Sequence, residues 1–244
     1  DINEAEFIRD VRPGEVLFID KNGLESMTIE KKDKLKQCIF ELVYFARPDS
    51  MVFGYSVDDI KMELGKQLAR ESNTTGDVVI PVPDAANSAA LGYSLESCIP
   101  FRFGLIRNHY IGRTFIQPGD ELRHSGAKLK FNPNRNILEG KRVIVVDDSI
   151  VRGTNARKIM GMLKRINVKE AHLKSTYPPW VDHCRRGIDI KENSELIAAS
   201  LSLEKVREKI GATTLQYLSL EGLLKSIPDS KDKFCIDCTG HSEY

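Results

Sequence analysis

The sequence predicts an α/β protein whose central sheet is mostly parallel, and three observations carry that expectation. From Gly76 onward, apolar segments of strand length alternate with segments of helical periodicity, the order a βαβ chain requires. The strands, "DVVIPV" and "RVIVVDD" among them, are continuous apolar runs, as expected where helices cover both faces of a sheet. The most apolar of them ends in two adjacent carboxylates, Asp147 and Asp148, followed by a short Ser/Gly/Thr loop and a helical pattern. In open α/β sheets, ligands sit beyond the carboxyl ends of the strands.

The elements follow in order. "VLFIDKNGLESMTIE" alternates apolar and polar residues about Asn22-Gly23, a tight-turn dipeptide, and predicts a two-stranded ribbon. "CIFELVYF", Cys38 to Phe45, is rich in aromatic and branched residues and stops before Pro48, which predicts a strand. Val57, Ile60, Leu64 and Leu68 recur at helical spacing. "DVVIPV" is a strand, Ala85 to Leu95 a small-residue helix, and "FRFGLI" and "RVIVVDD" two more strands. Ala156 to Ile166 is a helix with Ile159, Met160, Leu163 and Ile166 on one stripe, and "EAHLKST" is a further strand. The segment between Ile111 and Glu139 has little periodicity, and loops of that length are usually functional or disordered. From Phe101 to Arg142, nine Lys and Arg stand against three acids, a charge balance that fits a basic lid over an anion and a solvated surface loop equally well.

Composition narrows the function classes. With 36 Lys plus Arg against 35 Asp plus Glu in 244 residues, no global field favours nucleic acid or an anionic membrane. No apolar run approaches a membrane span, and "DINEAEFIRD" lacks the basic-then-apolar order of a secretory signal, so the expectation is a soluble cytoplasmic protein. Five cysteines at irregular spacings argue against a disulfide framework and leave metal ligation or plain burial.

Two ionised carboxylates side by side repel unless something positive or hydrogen-bond-donating lies near them, and ribose hydroxyls with a divalent cation are the natural guests. Alone, the Asp147-Asp148 pair reads better as a charged strand end before a capped turn. The loop Ser149 to Thr154 changes that balance, with hydroxyls at 149 and 154, Gly153 for close backbone approach, and N–H groups at a helix N-terminus. Acids for sugar hydroxyls beside a cradle for phosphate describe a site for a phosphorylated sugar.

"VIVVDDSIVRGT" resembles the phosphoribosyl pyrophosphate motif of the type I phosphoribosyltransferases, and the form Ser149-Ile150-Val151-Arg152-Gly153-Thr154 is similar to that of the glutamine phosphoribosylpyrophosphate amidotransferases. "VRPGEVLFID", "CIFELVYFARPDS", "PVPDAANSAALGYSLESCIPF", "LIRNHYIGRTFIQPGDELR" and "LSLEGLLK" resemble that family's segments in its order. The resemblance implies the type I phosphoribosyltransferase fold, with Asp147 and Asp148 on ribose hydroxyls and Mg²⁺ and Ser149 to Thr154 on the 5′-phosphate. Asp84 falls in the pyrophosphate loop, and the Arg113 to Arg135 segment, with Arg113 and Lys130 as matching basic residues, closes over the site. Ala85 stands where the family usually places a Ser or Thr near the metal, so water is expected to take that position.

The family also implies a glutaminase half led by an N-terminal Cys, which this chain, starting at Asp1, does not carry. The expected organisation is a β-ribbon remnant over 1–30, a phosphoribosyltransferase domain over 31–228, and a tail over 229–244 with a cysteine pair. The expected activity is the synthase half: ammonia plus phosphoribosyl pyrophosphate giving 5-phosphoribosylamine and pyrophosphate, the first step of purine synthesis. Expected partners are a glutaminase domain or subunit, nucleotide feedback inhibitors and further copies of the chain in a homo-oligomer, with no nucleic acid and no membrane. Some members carry a 4Fe-4S cluster, and its ligand positions match Cys38, Cys184, Cys235 and Cys238; Cys98 has no counterpart and is assigned to packing. Two other readings stay open. A phosphoribosyltransferase acting on a nucleobase would need an aromatic hood, which the sequence does not display, and a non-catalytic phosphoribosyl pyrophosphate-binding regulator would need a DNA-binding module.

If Arg113 to Arg135 is a lid, hydrogen exchange across it is fast without ligand and slows when phosphoribosyl pyrophosphate binds; equal protection in both states marks an ordinary surface loop.

Overall fold

In the computed structural model, residues 6–29, 36–108, 131–228 and 232–241 are described. The first element is the hairpin of β1 (Glu15–Asp20) and β2 (Gly23–Thr28). Its two-residue loop is Lys21-Asn22, one residue earlier than the dipeptide suggests. The Asp20 carboxylate decides this, accepting from the Asn22 backbone N–H at 2.7 Å and its side-chain amide at 3.0 Å, while Gly23, at φ +130°, opens β2.

The strand expected over Cys38 to Phe45 is not there. Only β3 (Gln37–Cys38) is extended, and Glu41–Phe45 forms a π-helical turn. Ile39, Phe40, Leu42 and Val43 are all buried, a spacing of one helical face, whereas a strand buries alternate residues. Aromatic and branched composition misled here because tertiary burial overrode local preference.

After the short hairpin β4 (Met51–Val52) and β5 (Tyr55–Ser56), α1 (Val57–Arg70) starts at Ser56, whose Oγ accepts from Asp59 N–H. Its buried stripe is Val57, Ile60, Lys61, Leu64 and Leu68. The strand β6 (Val78–Pro81) leads to α2 (Asn87–Ser97), which lies against α1 with the two backbones in contact. A Cβ on Gly65 would stand 1.8 Å from the Ala89 carbonyl oxygen, and one on Gly92 2.0 Å from that of Met62.

"FRFGLI" does not form a full sheet strand either. Phe101 makes one parallel bridge to Val79, and the chain then departs as β7 (Leu105–Arg107), which pairs antiparallel with β8 (Phe131–Pro133). Gly104 sits where a Cβ would meet Ile80 Cγ2 at 2.7 Å, so the chain turns over the sheet surface at the one residue with no side chain to place.

Beyond α3 (Arg135–Leu138) come β9 (Arg142–Asp147), α4 (Thr154–Arg165), β10 (Glu170–Ser175), α5 (Ile197–Ser200), α6 (Leu203–Ile210), β11 (Thr214–Tyr217) and α7 (Leu220–Lys225). The four parallel strands run in the order β11-β10-β9-β6. β9 shows why its sequence is apolar at every position from Val143 to Val146: Ile144 and Val146 join one buried layer with α1, α2 and the π-helical turn, while Val143 and Val145 join another with α4 and α6. The last element, β12 (Phe234–Cys235), pairs parallel with β3, and Phe234 and Ile236 complete the first layer. No helix among the described residues is long and apolar enough to cross a membrane.

A lysine is buried within the sheet. Lys174 on β10 is 1% exposed, and its ammonium donates to Ser72 Oγ at 3.0 Å, Thr74 Oγ1 at 2.6 Å and Gln216 Oε1 at 2.7 Å. Burial lowers its pKa to about 8. The unfolded chain holds this proton until about pH 10.4, so it binds more protons than the folded protein between these values and Lys174 makes stability rise with pH across that window. Urea unfolding at pH 7.5 and pH 10 is expected to show wild type gaining stability relative to Lys174→Met over this step. Gly65→Ala should destabilise by about 3 kcal/mol or more, because neither backbone can retreat without separating α1 from α2; an unchanged urea midpoint would refute this close packing.

Candidate functional site at the ends of β6 and β9

β9 carries its apolar run straight to Asp147, and Asp148 follows; both are buried, 6% and 8% exposed. They open on a cavity of about 900 Å³ walled by the end of β6, the loop after β9, the π-helical turn and Trp180. The pair is not left to repel unaided. Asp148 N–H donates to Asp147 Oδ1 at 3.0 Å, Ser149 Oγ donates to Asp148 Oδ1 at 2.6 Å, and Thr176 Oγ1 donates to the Asp148 carbonyl at 3.1 Å. Burial still pushes the Asp148 carboxyl up to about 6, against the pull of the Ser149 hydroxyl and the Lys61 ammonium. Lys61 is itself buried and donates to the Ala46 carbonyl at 3.2 Å; burial lowers its pKa, while the charges of Asp148 and Asp58 oppose the shift.

The loop Ser149 to Thr154 is held by its apolar residues. Ile150 is buried in the α4 layer, Val151 packs on the opposite layer, and the Val151 carbonyl accepts from Ile197 N–H at 3.0 Å. With the loop pinned on both sides of the sheet, residues 152–154 line the cavity. Gly153 suits its place by its backbone, φ +72°, and a Cβ there would also push Ile197 Cδ1, 2.6 Å away, aside. Thr154 opens α4, no side chain caps that helix, and first-turn N–H groups have no acceptor within a helix. This is a site built for an anion. Arg152 lines the cavity but pairs with Glu195, its Nε 3.0 Å from Oε2.

Asp84 reaches the same cavity from the end of β6, where the Pro83–Asp84 peptide is cis, and its carboxylate pairs with Arg107 Nη1 at 2.6 Å. Ala85 lines the wall beside it. Of the site residues expected from sequence, Asp84, Asp147, Asp148 and Ser149 to Thr154 are therefore brought together, while Arg113 and Lys130 lie outside the described residues.

The other four expected residues, Cys38, Cys184, Cys235 and Cys238, lie near one another. Cys38 and Cys235 are register partners on β3 and β12, and Cys238 Sγ lies 3.0 Å from the Tyr177 hydroxyl. Burial, reinforced by the neighbouring Cys38, Cys235 and Cys184 thiols, pushes Cys238 up to about 12 although the Tyr177 contact opposes it. All five cysteines are free thiols. Among the described residues, no three His, Cys, Asp or Glu side chains stand close enough to chelate one metal ion. Cys98, assigned from sequence to packing, is instead exposed, because it takes the left-handed position, φ 56°, that ends α2.

Sequence reasoning missed the aromatic wall. Phe40 meets Trp180 edge-on at 4.7 Å and Phe45 at 5.4 Å, and Tyr44 faces the carboxylates, whose charges add to burial in raising its pKa. These residues come from two distant segments, so no local pattern announces them. Lys61 was legible: it is a lysine four residues from Val57 and three from Leu64, on the buried stripe of α1. Arg107 carried a signal only as one of nine basic residues.

No protein-family model matches the chain. Over 98% of its length it is 48% identical to amidophosphoribosyltransferase 1 of Arabidopsis thaliana chloroplasts and 46% identical to the amidophosphoribosyltransferase of Bacillus subtilis. Its relatives are amidophosphoribosyltransferases. The chain spans about half the length of the curated relatives it matches, 42% and 51% of these two. The solved glutamine phosphoribosylpyrophosphate amidotransferase of B. subtilis, complexed with ADP and GMP, superposes at a TM-score of 0.84 with 45% identity, covering 97% of this chain and 53% of that one. The fold is the expected phosphoribosyltransferase fold, α/β with a parallel sheet.

Asp148 generates a stability prediction for the ligand-free protein. Its folded pKa of about 6 lies above the ordinary 3.8, so the folded state holds the proton longer and loses stability as pH rises through that interval. Asp148→Asn removes the penalty. It should raise thermal stability at pH 7 by on the order of 2 kcal/mol, with the advantage shrinking as pH falls towards 4; an equal gain at both pH values would refute a buried ionised carboxylate.

Proposed function

We infer that this chain carries the synthase half-reaction of an amidophosphoribosyltransferase, the attack of ammonia on phosphoribosyl pyrophosphate to give 5-phosphoribosylamine and pyrophosphate. The observation that carries the reading is a single cavity holding Asp147 and Asp148, the 149–154 cradle and Asp84 in a chain 42–48% identical to amidophosphoribosyltransferases of plants, bacteria and an archaeon. Asp147 and Asp148 would take the ribose hydroxyls and hold Mg²⁺, which would supply positive charge to offset that of the pyrophosphate. Buried acceptor oxygens in a pair suit a hard cation, and Ala85 leaves its position to water. The 149–154 backbone holds the 5′-phosphate, and the Asp84 loop with Arg107 flanks the pyrophosphate.

In the reaction the ammonia lone pair forms the C1–N bond as the C1–O bond to pyrophosphate breaks. Pyrophosphate leaves with the electron pair, and the new ammonium centre releases a proton. Basic groups that meet the departing polyanion stabilise it, the role we assign to Arg107 and, in the segment outside the described residues, to Arg113 and Lys130. The Phe40, Tyr44 and Trp180 wall excludes water that would otherwise hydrolyse the sugar. In the longer protein a glutaminase domain or subunit supplies ammonia, nucleotides act as feedback inhibitors, the chains form a homo-oligomer, and the setting is cytoplasmic. The nucleotide proposal is supported by the ADP and GMP complex of the B. subtilis enzyme.

We further assign a 4Fe-4S cluster to Cys38, Cys184, Cys235 and Cys238. Four free thiols, three of them close enough to Cys238 to add to the rise of its pKa, form a soft donor set that a bound metal would deprotonate. A four-iron cube holds its thiolates at its corners, further apart than the roughly 3.8 Å between sulfurs on one tetrahedral zinc, so the thiols need not chelate a single ion to hold it. Such a cluster supplies a structural cross-link between β3, the Cys184 loop and β12.

Calorimetry with Mg²⁺ should show phosphoribosyl pyrophosphate binding to wild type and a loss of roughly tenfold or more for Asp147→Asn with Asp148→Asn, since each charge-assisted hydrogen bond is worth roughly 1.5–3 kcal/mol. Equal affinities sink the site. Pyrophosphate release should be supported by ammonium salts increasingly as alkaline pH frees the base. Because the aromatic wall also suits a nucleobase, adenine, guanine, hypoxanthine and uracil are the control: release with one of them and not with ammonia would favour the nucleobase reading. Anaerobically purified protein should be brown with about four iron and four sulfide per chain; zinc, or no metal, refutes the cluster.

A further inference from the structure

The two sites are separated by one residue that touches both and that neither reading employs. Tyr177 is fully buried. Its hydroxyl lies 3.0 Å from Cys238 Sγ, and its ring meets Phe40 edge-on at 5.1 Å and Trp180 at 5.9 Å, both of which line the carboxylate cavity. The backbone leading to it is fixed to that cavity: Thr176 N–H donates to the Asp147 carbonyl at 3.0 Å and Thr176 Oγ1 to that of Asp148 at 3.1 Å. Ser175 Oγ then donates to the Tyr177 carbonyl at 2.8 Å and accepts from its N–H at 3.3 Å. Three consecutive residues at the end of β10 thus run from the aspartates to the cysteines, tied at each by hydrogen bonds inside the protein.

We propose that Tyr177 is a positioning residue shared by both sites, its hydroxyl a hydrogen-bond donor to the Cys238 sulfur in the metal-loaded protein and its ring the support of the aromatic wall. This rests on the cluster assignment above. In the metal-free protein either the thiol or the phenol can donate, but a metal-bound sulfur has no proton, so the phenol is then the donor. Hydrogen bonds to cluster sulfurs stabilise the more negative, reduced state and so raise the reduction potential. Burial also leaves this contact no water to compete with it, so removing the hydroxyl leaves the sulfur without a replacement donor at that point.

Two substitutions separate the two functions of the side chain. Tyr177→Phe keeps the ring and deletes the hydroxyl; Tyr177→Leu deletes both. On anaerobically purified 244-residue protein, Tyr177→Phe should load as much iron and sulfide as wild type, with a more negative reduction potential, severalfold faster bleaching in air, and phosphoribosyl pyrophosphate affinity within about twofold. Tyr177→Leu should in addition weaken phosphoribosyl pyrophosphate binding severalfold. An iron-loaded Tyr177→Phe with wild-type potential and bleaching rate overturns the proposal, as does Tyr177→Leu with unaltered ligand affinity. If Tyr177→Phe takes up no iron, alkylation of Cys238 in the folded metal-free chain, read by mass spectrometry, decides: a severalfold change from wild type supports the contact, and an equal rate overturns it. Wild-type protein without iron overturns the cluster assignment and this proposal together, and the wild-type metal content alone tells that case from failure of the proposal.

Discussion

Two carboxylates held out of water at the end of a strand covered on both faces are the constraint on which the remaining structure depends. Burying an acid without a partner costs enough that it ordinarily keeps its proton. Here the surroundings move Asp148 only part of the way, because Ser149 donates to it and Lys61 lies near. Each of these helpers imposes something on the fold. Lys61 must sit on the buried stripe of α1, so α1 must lie close, and the glycines that let α1 and α2 touch bring it there. Thr176 must reach back from β10 to the Asp148 carbonyl, which fixes how that strand exits the sheet. A ligand that brings a cation and hydroxyls to the pair would repay the cost of burying it.

How much of this could be read from sequence follows from how local each cause is. The parallel sheet was legible because β9 is apolar at successive positions, and that pattern needs cover on both sides. The 149–154 cradle was legible because its glycine, hydroxyls and helix start are contiguous. The Cys38 to Phe45 segment was misread since its residues look alike to strand and helix preferences, and only the positions of Tyr177 and Trp180, far along the chain, select the helical face. "FRFGLI" failed for a related reason, its course being set by the close approach of Gly104 to Ile80. The aromatic wall and the Asp84–Arg107 pair join residues that no spacing rule connects.

The surface of the β1–β2 hairpin has a different character from the rest. Phe18, Ile19, Leu24 and Met27 are exposed on it, along with Phe7 and Ile8 just before it, while the apolar side chains of the sheet are covered. Polar contacts fix its shape instead: Arg9 forms a two-pronged ion pair with Glu15, at 2.8 and 2.9 Å, which holds the Glu15 carboxyl down to about 2. The hairpin thus has its own charges and turn to order it, with its register running from Glu15–Thr28 to Asp20–Gly23.

The pairing of β3 with β12 has a consequence for the order in which the protein is made. The layer containing α4 and α6 draws its buried residues from Val78 to Leu215, whereas the layer beneath the aspartates takes members from Ile39 to Ile236. During synthesis from the N-terminus, the first of these layers has all its residues out before the second does. Ile39 and Phe40, the first residues of their layer to be translated, must wait for Phe234 and Ile236 before their surroundings are complete. Until then the aromatic turn that walls the cavity has an open flank, so a nascent chain arrested before residue 234 would present that apolar surface to chaperones with most of its sheet already assembled.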